Sequence, residues 1–160
     1  VNTNTDIFLN DVYFPDSLKG YCVGGRYGSL ASNKGAILET IDGGNNWNFI
    51  YKDSMLAITH IGAINDTIIC FGNKNAVSIR LTSTDRGFSW TVDTLSYIIV
   101  DVQFFDDNLY ILDGLRSLSK VNINGASQVI QTNIAFFDVH LSGIVAMGIN
   151  ADTIYKSIYF

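Results

Sequence analysis

Few side chains in this 160-residue sequence could carry chemistry, and many of them recur at matching places. Four similar segments put Asp11, His60, Asp101 and Asp138 at one position. Two residues further on, Tyr13, Gly62, Gln103 and His140 share the same side of an extended chain. Three carboxylates and an imidazole around a common axis would suit a cation or a polar ligand at the mouth of a channel. The competing use is structural, each carboxylate tying down backbone N–H groups of the neighbouring segment. A second set lies in loops. The stretch from Gly24 to Gly35 carries Arg26, Tyr27, Asn33 and Lys34, and the corresponding later loops carry Lys74 and Arg116. Arg, Tyr and Lys in an extended loop offer stacking planes and charged donors to a partner or ligand. The alternative is a solvated surface loop.

A catalytic set is harder to assemble. Glycoside hydrolysis requires two carboxyl groups at a defined separation. Asp11 with Asp101 or Asp138 is the pair the segments allow, and Glu39 is the one glutamate in the chain. Gly24-Gly25-x-x-Gly28 lacks the following helix and lysine of a phosphate-binding loop. Cys22 and Cys70 take equivalent places in neighbouring segments and read as small core residues. With no Cys-x-x-Cys and two distant histidines, neither a zinc site nor a cofactor is expected.

The elements that must position these residues are strands. Apolar residues make up 48% of the chain and charged residues 16%, which excludes a disordered chain. Few helix formers, one proline and many Ile, Val, Thr, Tyr and Phe between Asn/Asp/Gly turns argue for an all-β protein. The net charge is −5 with no basic run, which disfavours nucleic-acid binding. No apolar stretch reaches the length of a membrane-spanning helix. The chain starts at Val1 without an initiator Met or signal peptide and carries the sequon Asn65-Asp66-Thr67, so an exported, extracytoplasmic protein is the expectation.

The first strands begin at Ile7, Leu56, Ile98 and Ile134, which are 49, 42 and 36 residues apart. Each is followed by a turn and a second apolar run: Tyr21–Gly25, Ile68–Asn73, Leu109–Gly114 and Ile144–Gly148. Third strands are expected at Ala36–Thr40, Val77–Thr82, Leu118–Ile123 and Thr153–Phe160, and fourth strands at Asn48–Lys52, Thr91–Thr94 and Gln128–Thr132. Units of roughly forty residues, each a four-stranded antiparallel meander, are the pattern of propeller blades. Residues 7–54, 55–96 and 97–133 make three complete units and 134–160 most of a fourth, within one domain spanning 1–160.

Two hairpins between third and fourth strands share a sharper motif. Thr40-Ile41-Asp42-Gly43-Gly44-Asn45-Asn46-Trp47 and Ser83-Thr84-Asp85-Arg86-Gly87-Phe88-Ser89-Trp90 both read Ser/Thr-x-Asp-x-Gly-x-Ser/Asn-Trp. The Asp can accept from following N–H groups, the Gly supplies positive φ, and the Trp packs into the sheet with its N–H seeking a partner. Thr40, Asp42, Gly44 and Trp47, with Ser83, Asp85, Gly87 and Trp90, therefore read as turn clamps rather than as acids or metal ligands. The motif resembles the Asp-box (BNR repeat) of the sialidase-like superfamily of β-propellers, and the first unit looks closest to the photosystem II assembly-factor-like group. That resemblance implies a propeller, here three blades and most of a fourth. It further implies either the remainder of a longer ring or a ring closed by self-association.

A sialidase-like activity would call for an arginine cluster, a tyrosine activated by a glutamate, and an acid. Arg86 lies in a motif hairpin and Glu39 beside the motif threonine, so that set does not carry over. The expected function is a non-catalytic binding or assembly scaffold presenting one propeller face to a protein or glycan. The alternative is part of a carbohydrate-active enzyme, a sialidase-like glycoside hydrolase whose catalytic residues lie largely in other blades. The photosystem partner is not carried over with the resemblance.

Overall fold

The computed structural model describes residues 5–26, 35–54, 56–105, 108–122, 127–140, 143–148 and 154–158. Among them every regular element is a strand. Four antiparallel meanders of consecutive strands account for all of them. Sheet 1 holds β1 (Leu9–Tyr13), β2 (Gly20–Gly24), β3 (Gly35–Thr40) and β4 (Asn48–Asp53). Sheet 2 holds β5 (Leu56–Ile64), β6 (Thr67–Lys74), β7 (Val77–Ser83) and β8 (Thr91–Thr94). Sheet 3 holds β9 (Ile99–Phe105), β10 (Asn108–Asp113), β11 (Leu118–Val121) and β12 (Ser127–Gln131). Sheet 4 holds three described strands, β13 (Ile134–His140), β14 (Gly143–Gly148) and β15 (Ile154–Ile158).

The composition of each strand follows its place. β6 is inner, buried on both faces, and reads as the continuous run Ile68-Ile69-Cys70-Phe71. β8 is a sheet edge, exposed throughout, and reads Thr-Val-Asp-Thr. Tight turns carry the residues that tolerate positive φ. Asn65 has φ 53° between β5 and β6, and Asn75 and Ala76 have φ 52° and 65° between β6 and β7.

One irregularity recurs in all four sheets. The first strand carries an extra residue near its start: Asn10 in β1, Thr59 in β5, Val100 in β9 and Ala135 in β13. Such a bulge bends the strand and re-aims its side chains. The residue opposite the start of each bulge is Gly24, Gly72, Asp113 or Gly148. Glycine has a steric reason here. A Cβ on Gly24 would lie 2.3 Å from the Phe8 carbonyl oxygen, and one on Gly72 would lie 2.3 Å from that of Ala57.

The chain divides into two compact units, Val1–Ser96 and Tyr97–Phe160. In the first, Tyr21, Val23 and Ile37 of sheet 1 pack on Leu56, Ile58, Ile61, Ile68, Cys70, Ile79 and Leu81 of sheet 2. The other face of sheet 1 buries Cys22, Ala36 and Leu38 beneath Ile7 and Trp47. In the second, Tyr110, Leu112 and Leu118 of sheet 3 pack on Ile134, Phe137, Ile144 and Ala146 of sheet 4. No helix among the described residues is long and apolar enough to cross a membrane.

Candidate functional site

The two motif hairpins close with the same hydrogen bonds. In the first, the Thr40 hydroxyl donates to Asp42 Oδ1 at 2.8 Å and accepts from the Gly44 N–H at 2.9 Å. Asn46 donates to the same carboxylate from its backbone at 2.9 Å and from its amide at 2.7 Å. In the second, the Ser83 hydroxyl donates to Asp85 Oδ1 at 2.8 Å and accepts from the Gly87 N–H at 2.7 Å. Ser89 donates to Asp85 from its N–H at 2.9 Å and from its hydroxyl at 2.5 Å. The Trp47 and Trp90 indoles donate to the Gly44 and Gly87 carbonyls at 3.0 and 3.1 Å. Donation to the charged form lowers both carboxyl pKa values. The Asn46 amide is the main cause at Asp42, and the Ser89 hydroxyl is the main cause at Asp85, which falls to about 2.

Gly43 and Arg86 take the same step of this turn, at φ 68° and 59°. Their N–H groups donate to Leu18 O and Asp66 O in the adjoining turn of the same sheet. Arginine is unfavourable in that conformation. Here its guanidinium forks onto the Asp66 carboxylate, Nε to Oδ1 at 2.7 Å and a terminal nitrogen to Oδ2 at 3.1 Å. This pair holds the Asp66 carboxyl below the ordinary carboxylate range.

Of the first-strand acidic positions, Asp11 serves a joint between sheets. Asp11 Oδ2 accepts from the Ile61 N–H of β5 at 2.9 Å, and Oδ1 accepts from its own neighbour Val12 at 2.8 Å. The bulged Asn10 donates to the Gly25 and Ile58 carbonyls at 2.9 and 2.7 Å. In the second unit Gln103 plays the corresponding part. Its amide donates to Phe137 O at 3.0 Å and accepts from the Val139 N–H at 2.9 Å. Asp101 and Asp138 accept from the N–H of the next residue, at 2.8 and 3.0 Å. His60 Nδ1 lies 3.0 Å from the Thr59 hydroxyl.

The bulges alter the expected alignment at one place. Counted from the bulge, Asp101 faces Leu112 and Gln103 faces Tyr110, while Phe136 faces Met147 and Asp138 faces Val145. Asp138 therefore corresponds to Gln103 and not to Asp101, because Asp138 and Gln103 each stand three residues past their bulge and Asp101 stands one past. With that register both staples obey one rule. Each reaches the N–H one residue past its own counterpart in the first strand of the following sheet: Asp11 to Ile61, past His60, and Gln103 to Val139, past Asp138. Among the described residues no three His, Cys, Asp or Glu side chains converge as metal ligands.

The loop candidates divide. Tyr27, Asn33 and Lys34 lie outside the described residues. Arg26 is exposed, its guanidinium 5.3 Å from the centre of the Phe8 ring. Lys74 pairs with Asp53 at 2.9 Å. Gly25 abuts Leu56, which pairs with Lys74, so Arg26 and Lys74 leave the same end of the first unit. Arg116 reaches the Ala135 carbonyl at 3.3 Å in the second unit. Both thiols are free and buried. Burial pushes the Cys22 thiol up to about 11 and holds Cys70 well above the ordinary range, so both stay protonated.

The polar residue overlooked in the sequence is Asn10; Gln103 was placed on the inner row of the first strands but given no role of its own. Its available signal was Gly24 in the second apolar run, which faces the start of the bulge that re-aims Asn10.

No protein-family model matches the chain, and no curated protein matches it. Among solved structures it is similar to one chain of an S. cerevisiae assembly described as a Dbp5 variant bound to Nup159, a Gle1 variant, IP6 and ADP. The TM-score is 0.56 and the identity 12%, over 80% of this chain and 35% of that one. The chain thus spans about a third of the solved chain it matches, and the likeness is one of fold alone.

Proposed function

We propose that this chain is an arc of an Asp-box β-propeller of the sialidase-like superfamily. In this reading it is a non-catalytic scaffold presenting one face to a protein or glycan, in an extracytoplasmic setting. The carrying observation is the use made of its carboxylates. Asp42 and Asp85 clamp hairpins, Asp11 joins two sheets, and Asp53, Asp66 and Asp93 are paired with Lys74, Arg86 and Arg80. Groups held this way serve the fold as acceptors. The repeated meanders and the two matching hairpins support the propeller reading. The end of the first unit that carries Arg26 and Lys74 is the presenting face.

The test has two arms. Fluorogenic glycosides should show no turnover with the purified protein, whereas saturable turnover would favour the glycoside hydrolase alternative. A glycan array and affinity capture should give a ligand or partner whose binding falls in Arg26→Ala/Tyr27→Ala. Unchanged binding in that variant would remove the presenting face from the proposal.

A further inference from the structure

One triplet recurs along the chain. Each Asp that is followed by Ser or Thr is followed in turn by Leu, Ile or Met: Asp16-Ser17-Leu18, Asp53-Ser54-Met55, Asp66-Thr67-Ile68, Asp93-Thr94-Leu95 and Asp152-Thr153-Ile154. Thr153 lies outside the described residues. In the other four triplets the carboxylate is engaged and the hydroxyl is not. Asp16 accepts from the Leu18 and Lys19 N–H groups at 2.8 and 2.7 Å. Asp53 pairs with Lys74 at 2.9 Å, and Asp66 and Asp93 pair with Arg86 and Arg80 at 2.7 Å. The hydroxyls of Ser17, Ser54, Thr67 and Thr94 enter no hydrogen bond among the described residues. Ser17, Ser54 and Thr94 are exposed, whereas Thr67 is half-buried at the start of β6.

Turn formation accounts for these carboxylates but not for the hydroxyls. A Ser or Thr that shapes a turn does so by hydrogen-bonding nearby backbone. Thr40 and Ser83 do that in the motif hairpins, and both are buried. The three exposed hydroxyls stand instead where the surface lacks cover. Ser17 precedes Leu18, which is 61% exposed in the turn between β1 and β2. Ser54 follows β4 and Thr94 ends β8, and these are edge strands of sheets 1 and 2. An open edge can pair with another chain unless something blocks it.

We propose that Ser17, Ser54 and Thr94 are acceptors for O-linked sugars. A phosphoryl group would set its charge against the Asp beside each hydroxyl, on a chain already at net −5. A sugar adds bulk and hydroxyls without charge, so it solubilises the surface around Leu18 and obstructs both edges. In the transfer the hydroxyl oxygen bonds to the anomeric carbon of a phosphate-activated glycosyl donor. The bond from that carbon to the donor's phosphate oxygen breaks, the phosphate leaves with the electron pair, and the hydroxyl proton passes to a base of the glycosyltransferase. The inference rests on the extracytoplasmic setting of the scaffold reading and adds a modification to it.

The experiment purifies the protein from the organism that makes it, by cell fraction, and maps its peptides by mass spectrometry with electron-transfer fragmentation. The expected result is sugar on one or more of Ser17, Ser54 and Thr94. Thr84 and Ser96, exposed hydroxyls outside any triplet, should be bare. In the same host, Asp93→Asn should lose the sugar at Thr94 as completely as Thr94→Ala does. Asp93 lies in an exposed ion pair, so that variant should keep the parent melting temperature. Sugar retained in Asp93→Asn, sugar equally on Thr84 and Ser96, or phosphate in place of sugar overturns the inference. Bare peptides from an exported fraction also overturn it and leave the scaffold reading standing. Bare peptides from the cytoplasm overturn it together with the extracytoplasmic setting.

Discussion

Asp42 and Asp85 are half-buried carboxylates that act through geometry, each gathering an N–H and side-chain donors from residues two and four positions away. Both have a lower pKa folded than unfolded, so the unfolded chain binds more protons as pH falls and stability falls with it. At Asp85 this contribution is complete above the ordinary value of 3.8 and lost as pH passes down to about 2. The melting temperature should therefore drop more steeply on acidification in the parent than in Asp85→Asn, with the two curves converging at the acid end. Parallel curves would refute that assignment. Asp11 gives a second test at this scale. Removing its carboxylate in Asp11→Ala strands the N–H of Ile61, a residue only 2% exposed. Urea unfolding should show a loss of about 1–3 kcal/mol, and Asp11→Asn, which keeps an acceptor, should lose less.

At the scale of elements, the bulge and its glycine set how each first strand meets the second. Gly72→Ala would drive a Cβ into a backbone carbonyl that cannot swing aside, and should cost about 1–3 kcal/mol in urea unfolding. A variant as stable as the parent would show that the strand shifts freely and that the bulge is not held by steric contact. The β6–β7 turn offers the opposite sign. Asn75-Ala76 has positive φ at both positions, the conformation in which Asn-Gly is preferred. Ala76→Gly should relieve the left-handed alanine and raise stability by about 0.5–1 kcal/mol.

For the whole molecule, the separate cores of Val1–Ser96 and Tyr97–Phe160 carry the main prediction. A chain ending at Ser96 holds two four-stranded sheets and a shared apolar core. Expressed alone, it should melt cooperatively and keep the dispersed amide spectrum of its half of the full chain. A molten spectrum would mean that the first unit depends on the second for its packing.

Much of this protein is determined by its sequence alone. The alternation and turn residues call for an all-β chain, and the spacing of apolar runs marks fifteen strands close to where they lie, because strand and turn signals are local. The hairpin clamps were legible for the same reason, all their partners lying within four residues of Asp42 or Asp85. Tertiary structure decided the rest. That Asp11 serves Ile61, fifty residues on, depends on two sheets docking in one register. That Asp138 corresponds to Gln103 depends on where a bulge falls. That Gln103 serves Phe137 and Val139 depends likewise on two sheets meeting, and no local pattern records what lies across such a joint.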